Sequence, residues 1–168
     1  MIKDLLLLTI FPAAMAFAAA TDLITMTVPN RIVLALVAGF FLAAPLAGLN
    51  WSDIGLHIAV GCAALAVGFA LFAPGWIGGG DAKLFAATAL WLGPNFLIEY
   101  SLTAALIGGV LTLLILYMRR LPLPSPLNDQ SWLLKLHDTK EGVPYGIALA
   151  AAGLLVYPYT PFMTAIGS

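Results

Sequence analysis

Apolar residues fill this chain in long blocks, and polar residues gather in a few short intervals between them. A block of roughly 20 apolar residues is the length of a helix that crosses a bilayer, so the pattern predicts spans over 5–21, 32–49, 54–73, 81–98, 102–118 and 143–166. The intervals carry stop signals. Pro29 disfavours helix at the residue before it, so the first span is expected to end at Asp22. Residues 50–53 read as a turn, with Trp51 in the aromatic belt of the interface. Pro74 and Gly75 end the third span. Gly93 and Pro94 interrupt the fourth, which is expected to be short or bent and to finish at Glu99 and Tyr100. Arg119 and Arg120 stop the fifth. Residues 119–142 form the longest polar loop, opening with Pro122, Pro124 and Pro126. Within it Trp132, Leu133, Leu134 and Leu136 crowd a short helical stretch suited to lie along the membrane surface. Pro158 and Pro161 bend the last span or end it early. The expected fold is all-α, a polytopic membrane protein with one domain over 1–168, built as a bundle of six transmembrane helices.

Composition supports that class and removes others. Of 168 residues 62% are hydrophobic and 9% charged, against about 25% charged in soluble domains, and the mean hydropathy is +1.02. Membrane lipid is therefore an expected partner. A net charge of −1 without a basic block gives no field for nucleic acid. Cys62 is the single cysteine, which excludes an intrachain disulfide and reads as a helix-packing residue. Ala18, Ala19 and Ala20 resemble a signal-peptide cleavage region, but the acid beside Lys3 and the five apolar blocks that follow favour a retained span. His57 lies one turn into the third span. No second His, Cys or acid occurs at ligand spacing on that helix, so it reads as a residue reaching water or headgroups, and no metal or cofactor is expected.

Six crossings sort the cations. Arg31, Lys83, Arg119, Arg120, Lys135 and Lys140 fall on one face and Lys3 on the other. By the positive-inside rule the first face is cytoplasmic and both termini lie outside. The same count puts Asp22, leaving the first span, and Asp81, entering the fourth, at one level on the cytoplasmic side. Carboxyls at a membrane interface are costly unless paired, protonated or wet, so two at one depth suggest a shared site. Close carboxyls do not both ionise easily. One can then activate water while the other protonates a carbonyl, the division of labour of aspartic proteases, and the pair titrates as a unit. Gly78, Gly79 and Gly80 would let a substrate backbone approach Asp81, or would merely loosen a helix end. Lys83 either tempers the acid or faces headgroups. Asp4, Asp53 and Glu99 fall on the outer face, and Asp129, Asp138 and Glu141 read as solvated loop charges.

Gly78-Gly79-Gly80-Asp81 matches the GxGD motif. Asp22 followed by Val28-Pro29-Asn30 resembles the first aspartate and trailing proline motif of type IV prepilin peptidases, and Val143-Pro144-Tyr145-Gly146 is similar to their last-helix motif. Ile147 stands where many long members have another proline. The resemblance runs in order along nearly the whole chain. It implies an enzyme of the bacterial inner membrane that removes the short basic leader of prepilin or pilin-like precursors on the cytoplasmic side, with Asp22 and Asp81 as catalytic pair. Asn30, Gly78, Gly79, Gly80, Lys83, Pro144, Tyr145 and Gly146 would shape the site. Long members add paired CxxC motifs and methylate the new N-terminus. With one cysteine this chain looks like the short enzymes of tight-adherence (Flp) pilus systems, and no N-methyltransferase activity is expected. A proton-coupled carrier and a non-enzymatic pilus-assembly subunit are the competing readings. The glycine hinge and bent fourth helix would also fit acids that stand apart until substrate closes the site.

Overall fold

A backbone removed from water must satisfy its own hydrogen bonds, and each apolar block does so as helix. The computed structural model describes residues 1–123 and 130–167. Its helices are α1 (Ile2–Thr25), α2 (Asn30–Leu46), α3 (Trp51–Phe72), α4 (Gly79–Met118), α5 (Ser131–His137), α6 (Tyr145–Val156) and α7 (Pro161–Thr164), with a 3₁₀ turn over Tyr157–Tyr159 before α7. Pro124, Pro126 and Asp129 lie outside the described residues. Among the described residues α1, α3 and α4 are long and apolar enough to cross a membrane, while α2 and Tyr145–Tyr159 are shorter apolar helices.

Several boundaries differ from the sequence expectation. α1 does not stop at Asp22. Thr21 and Thr25 return their hydroxyls to the carbonyls of Phe17 and Thr21, at 2.8 and 2.7 Å, and so stay inside the helix. The chain turns at Met26, which is left-handed (φ 57°) and donates its N–H to the Asp22 carbonyl. α3 starts earlier than expected, because the Asn50 side chain accepts the Asp53 N–H at 2.9 Å and makes residues 51–53 its first turn. The last span is broken, as Pro158 and Pro161 suggest. The loop helix α5 is docked on α1 and α4 with Leu136 buried, rather than lying alone on the membrane surface.

The largest departure concerns the fourth and fifth spans. Glu99 and Tyr100 sit inside helix, and the break lies at Gly93, whose φ of 68° and ψ of −172° are non-helical. Phe85 and Tyr100 stack with ring centroids 5.4 Å apart, whereas 15 residues of straight helix would separate them by about 22 Å. The two arms of α4, 79–92 and 94–118, therefore fold back beside each other. The break also explains His57. Proline has no N–H, so Pro94 leaves the Leu90 carbonyl, four residues earlier, without its helical donor. His57 Nδ1 lies 2.8 Å from that oxygen, and the buried ring stacks on Phe40. His57 thus closes a gap in the backbone ladder. Replacing it with Phe keeps the ring but strands the carbonyl, which is expected to cost about 1–3 kcal/mol. Thermal unfolding in detergent checks this, and an unchanged midpoint would refute it.

Apolar side chains supply little drive between helices already surrounded by lipid, so packing and buried hydrogen bonds hold the bundle. Phe11, Phe40, Trp91, Tyr157 and Phe162 form its buried aromatic centre. Trp91 Nε1 donates to the Leu36 carbonyl at 2.9 Å and the Tyr157 hydroxyl to that of Leu7 at 2.6 Å, tying α4 to α2 and the C-terminal turn to α1. Cys62 is exposed on α3, not packed between helices. Phe69, Leu106, Val110 and Leu113 are likewise exposed.

Candidate active site

Gly78 is the cap residue of α4, so Asp81 stands third in its first turn. From there its carboxyl folds back towards the Gly78 N–H, which satisfies one of the donors a helix start leaves open. That fold-back explains the glycine, since a β-carbon at Gly78 would lie 2.7 Å from Asp81 Oδ2. A β-carbon at Gly80 would press on the backbone and side chain of Val28, at 3.2 and 3.3 Å. Gly80 is therefore packed tightly on the segment after α1, and Gly79 on Phe72 of α3.

Asp22 is buried, and it meets the start of another helix. Its Oδ2 accepts the Gly146 N–H at 2.7 Å, and the Ile147 N–H also faces the carboxyl. Both N–H groups belong to the first turn of α6, so the positive end of that helix holds the acid. Gly146 again has no room for a side chain, because a β-carbon there would be 2.7 Å from Asp22 Oδ2 and 3.0 Å from Val28 Cγ2. The Gly146 N–H also faces the Asp81 carboxyl, and the two acids are close enough to feel each other's charge. Both carboxyls thus face one backbone N–H.

Both acids line an open cavity of about 590 Å³, with residues 78–80, Lys83, Pro144 and Tyr145 in its wall. The Lys83 ammonium is turned aside from the acids and donates to Asn30 Oδ1 at 2.6 Å, joining α4 to α2. All the site residues expected from sequence are therefore brought together in or beside this one cavity. Sequence reasoning missed Met26 and Thr27, which with Val28 wall it after α1, and Gly142, which lines it beside the exposed Glu141. The left-handed Met26 is invisible in sequence, since methionine gives no signal for that conformation. A second, apolar hollow of about 380 Å³ runs on from Asp81 between Leu71, Phe85 and Leu149.

Two carboxyls that face one backbone N–H beside an open cavity in a membrane protein define a site fit for acid–base chemistry on a polar bond. The chain matches the type IV leader peptidase family over residues 9–113 and belongs to that family. It is 31% identical over 153 residues to the prepilin leader peptidase/N-methyltransferase of Bacillus subtilis (strain 168), which covers 89% of this chain and 54% of the relative. The chain thus spans about half the length of the curated relative it matches. No solved structure matches it.

Proposed function

We propose that this protein is a membrane-embedded aspartyl endopeptidase that removes the leader of Flp-type prepilins at the cytoplasmic face of the bacterial inner membrane. The observation that carries the reading is the Asp22–Asp81 pair meeting across the Gly146 N–H beside the cavity. One carboxylate takes a proton from water as the oxygen adds to the scissile carbonyl, and the other, protonated, gives its proton to the carbonyl oxygen. Collapse breaks the C–N bond, and a carboxyl returns the proton to the leaving amine. A peptide lying across Asp81 would meet Thr27, Lys83 and Glu141 on one side and the apolar hollow on the other, which suits a substrate polar before the cut and apolar after it.

The folded-back α4 supports reading its arms as separate crossings, which makes six in total and leaves Asp22 and Asp81 on the face rich in cations. Co-expression with a Flp-type prepilin tests the activity. A precursor shortened to mature size is expected, and one left whole, as a carrier or assembly subunit would leave it, refutes the reading. A reporter fused after Arg120 is expected in the cytoplasm and one at Ser168 outside; the reverse would put the acids on the wrong side.

A further inference from the structure

Arg119 and Arg120 are adjacent cations at the end of α4, and a charge count treats them alike. The structure separates them. Arg120 is exposed, whereas Arg119 is half-buried and spends its guanidinium on backbone carbonyls. Its Nε donates to Leu136 at 2.9 Å, and its Nη2 to Glu141 at 3.1 Å and Gly142 at 2.9 Å. We propose that Arg119 is a positioning residue for the acid pair, acting through residues 141–146; this rests on the peptidase reading.

Residues 141–145 wall the cavity, and Gly146 follows directly with the N–H that Asp22 accepts. This stretch has little to hold itself with. Pro144 lacks a donor, and its local bonds are short turns, Glu141 N–H to the Asp138 carbonyl at 3.3 Å, Tyr145 N–H to that of Val143 at 2.8 Å and Ile147 N–H to that of Pro144 at 3.3 Å. Its place is set from outside by one face of the second arm of α4. Gly108, Thr112, Ile115 and Arg119 follow at spacings of four, three and four, which aligns them on one side of a helix. Arg119 grips the upstream end of the stretch. The downstream end is held by Tyr145, whose ring lies on Gly108, where a β-carbon would be 3.0 Å away. Thr112 donates its hydroxyl to the Gly108 carbonyl at 2.7 Å, so the Tyr145 hydroxyl, 3.0 Å from it, is the donor to Thr112.

The acceptors are carbonyls on two separate turns, not a carboxylate, so the contact sets geometry rather than pairing charge. A planar fork with donors at fixed angles reaches them together, and an ammonium on a flexible stem does not. Loosening the stretch would let the Gly146 N–H drift from Asp22, and a displacement near 1 Å at a reacting group costs about 100-fold in rate.

The test compares Arg119→Lys, Arg120→Lys and Tyr145→Phe with wild type in lipid nanodiscs. Cleavage of a prepilin is measured per folded molecule, and amide hydrogen exchange is followed at 141–147. Arg119→Lys keeps the charge at the membrane surface, so folding and topology have no electrostatic reason to fail. It is expected to lower kcat about 10- to 100-fold with KM changed less than about threefold, and to speed exchange at 141–147. Tyr145→Phe is expected to act in the same direction and Arg120→Lys to do neither. A purely structural role for Arg119 would reduce the amount of folded protein and leave kcat per folded molecule unchanged, which would overturn the proposal. A wild type that leaves the precursor whole overturns the peptidase reading and this proposal with it; a cleaving wild type beside an unimpaired Arg119→Lys overturns the proposal alone.

Discussion

Asp22→Asn and Asp81→Asn are each expected to lower leader removal by about 1,000-fold or more, while the protein still folds and inserts. Each amide keeps the shape of the acid it replaces. The amide oxygen at position 22 can still accept the Gly146 N–H, the contact Asp22 makes at 2.7 Å, and an amide at 81 can still fold back on Gly78. Proton exchange is what is lost, since an amide neither takes a proton from water nor supplies one to a carbonyl. Under the acid-pair mechanism, Asp22→Asn and Asp81→Asn together should cost little more than either alone. Single-turnover cleavage in nanodiscs, with thermal unfolding as the folding control, measures all three proteins. Cleavage within about 10-fold of wild type in either single variant would end the acid-pair mechanism.

The second large effect belongs to Gly146→Ala. The added methyl would enter 2.7 Å from Asp22 Oδ2 and 3.0 Å from Val28 Cγ2, closer than carbon tolerates. Asp22 must swing away or the start of α6 must shift, and either movement takes the N–H out of line with both acids. A loss of about 100-fold in kcat is expected from the misplacement, with about 1–3 kcal/mol of stability lost to overpacking. Gly109→Ala serves as the control, because a β-carbon there meets nothing within 4 Å, and helix propensity makes it neutral or slightly stabilising. Equal activity of the two variants would show that Gly146 does not position Asp22.

Much of the arrangement was legible before any coordinate. Apolar blocks define helices because lipid leaves the backbone no other partner, and glycine at 78–80 beside an acid marks a place where chain must come close to chain. Counting six crossings predicts Asp22 and Asp81 at one depth, and in the structure both carboxyls face the Gly146 N–H. Other features carry signals in the sequence as well. Pro94 inside an apolar block already implies a stranded carbonyl at Leu90, and the buried histidine that answers it, His57, is 33 residues away. The boundary at Thr25 was missed because threonine hydroxyls can be spent within the helix, and sequence does not say when they are.

The sequence by itself thus determined the class of the protein, its helices and the two acids, since these follow from local composition and from the period of the apolar blocks. Only the tertiary structure decided that α4 folds back at Gly93, that the Gly146 N–H faces both carboxyls, that Lys83 turns to Asn30, and that Arg119 and Arg120 have different tasks. These features depend on groups well separated along the chain coming into contact, as the Asp22 carboxyl and the Gly146 N–H do across 124 positions. A pattern read along the chain carries no information on that distance; packing sets it.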